Sequence, residues 1–205
     1  MIGGADFART CAEAVRLRLA AVTIVPADLD DAARLVRDTP VTLATVIDPA
    51  GGATTAVKQY AARDALRRGA RIVECAIHAR RMLSREFRSV ESELQQLAAA
   101  CHEAQAIFRL AVPRWESNAE EFEILTARLA RRAGVDALST DDLASAQRLL
   151  GLAREGYRVY LRTLTANSDS ILGARAAGCA GVIVASETPE NLLASLVSRS
   201  SEAPG

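Results

Sequence analysis

Short β-branched and aliphatic runs recur along the 205 residues, at VTIV (22–25), VTLATVI (41–47), RIVECAI (71–77), AIFRLAV (106–112), VDALS (135–139), YRVYL (157–161) and GVIVA (181–185). The stretches between them carry helical periodicity. LASAQRLLGLAREG places Leu143, Ala146, Leu149, Leu150 and Ala153 on one face, and FEILTARLARRAG does the same with Phe122, Leu125 and Leu129. Glycine closes these helices where the next strand begins, as in RRG (67–69), RRAG (131–134) and RAAG (175–178). Each repeat of ~20 to 35 residues is one βα unit, and strands covered on both faces read as nearly continuous apolar runs. Seven such units predict an α/β fold. An open doubly wound sheet and a closed (β/α) barrel both fit. The barrel is favoured because the early glycine pair, Gly51-Gly52, lacks the spacing of a phosphate-binding loop. Ahead of the first strand, FARTCAEAVRLRL is amphipathic, with Phe7, Cys11, Ala14, Val15 and Leu19 along one side.

Composition narrows the function. Half of the residues are hydrophobic, enough for a sizeable core, and 25 basic against 25 acidic side chains leave no excess for nucleic acid. No apolar run reaches a membrane span, and MIGGADFARTCAEAV lacks a cationic segment followed by an apolar one. A cytoplasmic protein with one domain over residues 1–205, and with neither nucleic-acid nor membrane partners, is expected. Cys11, Cys75, Cys101 and Cys179 are scattered without a C-x-x-C pair, which argues against disulfides and structural zinc. Neither metal nor organic cofactor is expected. Every basic residue except Lys58 is arginine. Arginine stays protonated, so one side-chain amine alone is available for imine chemistry.

From residue 41, VTLATVIDPAGGATTAVKQYAARDALRRGARIVECAI resembles the segment of deoxyribose-phosphate aldolases that reads approximately V-x-T-V-x-G-F-P-x-G-x-x-T-T-x-V-K, then a helix, then G-A-x-E-I-D-M-V-I. Pro49, Gly51, Thr54, Thr55, Val57 and Lys58 fall in register, followed by Gly69-Ala70. VTIVP (22–26), AGVDALST (133–140) and ILGARAAGCAGVIVAS (171–186) are similar to further family segments. The resemblance implies a TIM-type (β/α) barrel, truncated at its N-terminus, with its site at the strand C-termini. It also implies class I aldol chemistry, in which a strand-six lysine forms an imine and a strand-seven lysine assists it. These two positions fall on Ser139 and Tyr160. The family's strand-four aspartate falls on Glu74, and its phosphate-binding glycine pair on Thr163-Leu164.

The candidate residues carry alternatives. Glu74 interrupts an apolar strand, where an unpaired carboxylate is costly to bury, so it is either a pocket group or the partner of a buried arginine. Strand alternation puts Glu74, Ala76 and His78 on one face, so His78 is either a site residue or a loop histidine. Asp48, at the end of VTLATVI, is either a pocket acid or a helix-start acid. Arg114 and Trp115 end AIFRLAVP; Trp115 is either a ligand-stacking face or a lid over the core. Thr140 to Asp142 suit helix capping. Tyr160 and Arg162 share a strand face, and Tyr160 is a candidate proton donor. Ser186 retains one member of the family's phosphate turn. Lys58 is expected on a helix outside the central pocket, solvated or beside phosphate, with a relocated imine as the alternative. Cys101-His102 reads as structural.

These residues predict a divergent aldolase-like lyase acting on a small-molecule carbonyl compound without a lysine imine. Glu74, Tyr160 and Asp48 are the catalytic candidates, and His78, Arg114, Trp115, Ser139, Arg162 and Ser186 the substrate-binding ones. Two rivals are a catalytically silent aldolase-like binding or assembly partner and an ordinary aldolase using Lys58. The sheet should either expose an edge between VTIV and GVIVA or close with seven strands, and because an open edge tends to recruit a partner, a homodimer or hetero-complex is predicted.

Overall fold

The structure, a computed structural model, describes residues 7–153, 156–163 and 168–185. Seven strands form one parallel sheet whose spatial order is the chain order: β1 (Ala21–Ile24), β2 (Thr42–Ile47), β3 (Ile72–Ala76), β4 (Ile107–Ala111), β5 (Ala137–Thr140), β6 (Arg158–Thr163) and β7 (Gly181–Val184). All seven sequence-read strands are present, with ends shifted by a residue or two. Helices alternate with them: α1 (Phe7–Arg16), α2 (Leu29–Val36), α3 (Thr55–Arg67), the short α4 (Ala79–Leu83), α5 (Phe87–Glu103), α6 (Ala119–Ala133), α7 (Leu143–Ala153) and α8 (Ser168–Ala176). This is the (β/α) barrel architecture rather than a doubly wound sheet, since no strand is inserted out of order. Among the described residues no ladder joins β7 to β1, so the barrel has two free edges.

Local chemistry sets the element boundaries. Thr54 caps α3, its hydroxyl accepting the Val57 N–H at 3.5 Å, and Asp142 accepts the Ser145 N–H at 2.8 Å to start α7, the capping role read from its sequence. Helix α6 ends on Gly134 at φ +74°, the left-handed position that favours glycine. Behind β5, Asp136 accepts the Phe108 N–H at 2.8 Å and faces His102 at 3.0 Å, so the Cys101-His102 pair is structural as expected.

Side chains alternate between two faces. Val73, Cys75, Phe108, Leu110, Leu138, Val159 and Leu161 point to the helices and join the continuous hydrophobic core with Leu66, Leu94, Leu97 and Leu149. Ala44, Ala111 and Ala137 are equally buried but stand apart from that core, on the inner face. Helix α1 packs Cys11 and Ala14 inward, with Phe7, Val15 and Leu19 partly buried, the stripe that its sequence predicts.

The sheet is strongly curled. In a flat sheet three strand spacings of about 4.8 Å would separate β3 from β6 by roughly 14 Å. Yet Glu74 on β3 reaches Arg162 on β6 at 3.4 Å, and Ser139 on β5 at 3.0 Å. Only a sheet rolled toward a barrel lets these side chains converge.

Candidate active site

The inner face of β3 to β6 holds a polar cluster centred on Glu74, which is 2% exposed. Register places Glu74 directly beside Arg109, and Ser139 beside Tyr160. The Arg109 guanidinium donates through Nε to Glu74 Oε2, and the Ser139 hydroxyl donates to the same oxygen at 3.0 Å. Arg162 closes the group from the strand end: Nη1 lies 3.4 Å from Glu74 Oε1, Nη2 donates to Ser139 Oγ at 3.1 Å, and Nε lies 2.9 Å from Asp141 Oδ1. Arg109 also sits over the Tyr160 ring, 5.6 Å from its centroid, a cation–π contact that orients the phenol. The other edge of that ring lies against Gly181, where an added Cβ would come within 3.0 Å of it. The Tyr160 side chain is therefore sandwiched, while its hydroxyl takes no partner among the described residues.

Four of the sequence-selected residues thus meet: Glu74, Ser139, Tyr160 and Arg162. Arg109 is an addition. Its signal is a charged residue inside the apolar run AIFRLAV, and Glu74 needs such a buried arginine as partner. Asp141 is a second addition, read from sequence only as a capping residue.

Other candidates lie elsewhere. Asp48 adopts a left-handed φ of +42°, which turns it into its own loop; its Oδ2 accepts the Ala53 N–H at 2.9 Å and lies 3.5 Å from Lys58. It is a loop-organising acid, not a member of the inner cluster. His78 does not continue the inner face, because β3 ends at Ala76; its Nδ1 caps α4 by accepting the Arg81 N–H at 3.4 Å. Arg114 is exposed, while Trp115 is buried and stacks on Phe122 of α6 at 4.7 Å, the lid over the core rather than a ligand platform. Ser186 and Leu164 lie outside the described residues.

Lys58 requires a correction. It lies on α3 outside the central pocket as expected, but it is neither solvated nor at the surface: it is fully buried between α3 and α5. Its Nζ donates to Glu93 Oε1 at 2.6 Å and to the Gly51 carbonyl at 3.3 Å, and Glu93 Oε2 also accepts the Thr55 hydroxyl at 2.8 Å, with Arg81 at 3.5 Å. The hydrophilic partner needed to bury an ammonium is supplied by Glu93, on a helix 35 residues away, which the local sequence gives no means of seeing. Neighbouring Cys75, on the outer face of β3, is pushed up to about 12, chiefly by burial, so this thiol is inert.

Comparison with known proteins follows the same lines. No family model matches the chain. It is 28% identical over 137 residues to the deoxyribose-phosphate aldolase of Clostridium perfringens, covering 66% of this chain and 60% of that protein. It is 29% identical over 133 residues to the corresponding enzyme of Bacteroides thetaiotaomicron, covering 64% and 56%. The chain thus spans about three fifths of the length of the curated relatives it matches. Among solved structures, the aldolase QR15 superposes with a TM-score of 0.85 at 18% identity, over 97% of this chain and 91% of that one. The tetrameric deoxyribose phosphate aldolase of Aeropyrum pernix superposes with a TM-score of 0.78 at 22% identity, over 97% and 85%. The aligned sequence, and a fold that agrees with it, make the chain similar to the deoxyribose-phosphate aldolases.

Proposed function

We propose that the protein is an aldolase-type lyase that acts on a small carbonyl compound without a lysine imine. The observation that carries this reading is the inner cluster itself. Ser139 and Tyr160 stand on the barrel's inner face with two guanidiniums around them, while the chain's single lysine is held by Glu93 behind the sheet. A carbonyl at this site would be polarised by fixed positive charge and hydrogen bonds instead of by covalent attachment. Tyr160 is the proton donor and acceptor in this scheme, because its ring is fixed and its hydroxyl is free of protein partners among the described residues. Glu74 is a positioning residue: both its oxygens already face donors, and it holds Arg109, Ser139 and Arg162 in place.

The test is aldol cleavage and condensation over a panel of small aldehydes, ketones and oxo acids, with and without borohydride. Turnover that borohydride does not trap, reduced by about two to four orders of magnitude in Tyr160→Phe, is the expected result. Borohydride-dependent inactivation with a mass adduct on Lys58 would replace this reading by a relocated imine.

A second reading, a catalytically silent binding or assembly partner, is favoured by the fact that both Nη groups of Arg162 and both oxygens of Glu74 already face partners within the chain. The two sheet edges left unpaired among the described residues support assembly with a second copy or another chain in either case. A related protein, that of Aeropyrum pernix, is tetrameric. Light scattering at micromolar concentration tests the assembly; a monodisperse species near 22 kDa, against a chain mass of 21.8 kDa, would refute it.

A further inference from the structure

We propose that Arg162 is a carboxylate-binding residue at the barrel mouth, and that Asp141 holds the position that a substrate carboxylate takes. The carbonyl substrate is then an oxo acid. This rests on the lyase reading above for the identity of the pocket, but not on turnover.

The argument begins with charge. On the inner face two guanidiniums, Arg109 and Arg162, are faced by one buried carboxylate, Glu74, leaving one unit of positive charge within the sheet. The fourth member, Asp141, comes from just beyond the end of β5 and makes up the balance. The two acids are not equivalent. Glu74 is 2% exposed and bound by three donors; the Asp141 side chain is 62% exposed and meets Arg162 alone, at 2.9 Å. An exposed pair of this kind is weak and exchangeable, whereas the buried pair is not.

Geometry then selects the ligand. Arg162 is 27% exposed in its side chain and stands near the C-terminal end of β6, the end at which barrel proteins receive their ligands, and its Nε is buried beneath Asp141, 2.9 Å away, without a well-aligned hydrogen bond among the described residues. The contact there is with a single carboxylate oxygen, so the position already has the size and charge for a carboxylate. Two residues before Arg162 on the same face, about 6.6 Å along the strand, stands Tyr160, with Ser139 beside it in register. An acid group docked on Arg162 therefore leaves its neighbouring carbonyl directed into the inner cluster, toward the phenol and the hydroxyl.

Calorimetric titration of the full chain with pyruvate tests the assignment, with acetone as the same ligand lacking the acid group and inorganic phosphate as the other oxyanion. Pyruvate is expected to bind and acetone not. Asp141→Asn removes the internal competitor and should tighten pyruvate about three- to five-fold. Because this residue is at the surface, the variant is expected to fold as the parent does. Arg162→Gln should weaken pyruvate by about ten-fold or more, and Arg162→Lys by less, since lysine keeps the charge although its ammonium cannot span the three partners. Absence of pyruvate binding, binding unaffected in Arg162→Gln, or weaker binding in Asp141→Asn would overturn the proposal. Phosphate that displaces pyruvate and binds more tightly would assign the site to phosphate esters, and so would also overturn it. Pyruvate bound as described but never turned over supports this site while removing the lyase reading, so the two fail separately.

Discussion

Replacing Lys58 with methionine should cost the protein much stability and none of its chemistry. Lys58 is fully buried, and its principal partner, Glu93, is 1% exposed in its side chain. Removing one member of a buried pair costs about 3–5 kcal/mol, because the remaining charge is stranded. In Lys58→Met the stranded Glu93 keeps the Thr55 hydroxyl at 2.8 Å and Arg81 at 3.5 Å, which puts the loss at the low end, about 3 kcal/mol. For a chain of this length that corresponds to a fall in Tm of roughly 6–12 °C. Glu93→Leu should cost more, since the fully buried ammonium is left with only Asp48 at 3.5 Å and one carbonyl. The double variant replaces the pair by apolar groups of similar size, and should recover at least about 2 kcal/mol relative to additive singles. Urea unfolding followed by circular dichroism and by Trp115 fluorescence gives the cycle, and coincident transitions license its use. Single variants that shift Tm by less than about 2 °C, or a double variant that is simply additive, would refute the reading of Lys58 as a structural ion-pair partner.

Glu74→Ala should destabilise by about 3–5 kcal/mol by stranding Arg109, and Glu74→Gln by clearly less because it keeps an acceptor; equal losses in thermal unfolding would sink the argument. Gly51→Ala should cost at least about 1–3 kcal/mol, since φ is +70° and an added Cβ would run into the Ile77 carbonyl. Cys75, Cys101 and Tyr157 are each pushed up to about 12, chiefly by burial, so the folded state retains protons that the unfolded chain loses. Their contribution is complete below the unfolded values and is lost as pH rises toward 12. Stability measured by urea unfolding should therefore fall above about pH 9, by up to about 1.4 kcal/mol per pH unit for each thiol, and a flat profile from pH 8 to 11 would contradict it.

Strands were the most legible part of the chain. Runs such as VTLATVI and RIVECAI are predominantly apolar and β-branched, with Glu74 the one charge inside the second, and the neighbouring helices end on glycine, so little competes with the βα reading. The site was legible where strand alternation governs it: Glu74, Tyr160 and Arg162 each lie at inner positions, and register brings them together. Alternation stops being a guide where a strand ends. Asp48 and His78 sit one and two residues beyond their strands, and there a left-handed φ and a helix cap redirect them. Partners distant in sequence were the hardest to see. Nothing in TTAVKQY announces Glu93, and an acid following a strand, such as Asp141, reads first as a cap.

The order of the strands has a kinetic consequence. Because spatial order follows chain order, every ladder joins consecutive segments, and most of the sheet can be assembled by extending one unit at a time. The inner-face ties are different: Ser139 bonds to Glu74 across 65 residues, and it can do so only after three adjacent strands have paired and rolled. Such ties are expected to form in the last stage of assembly, after the rate-limiting barrier, and unfolding and refolding rates of Glu74→Gln check this. Weakening the Glu74 cluster should therefore hasten unfolding while leaving the folding rate nearly unchanged, which makes this cluster the latch on the lifetime of the native state.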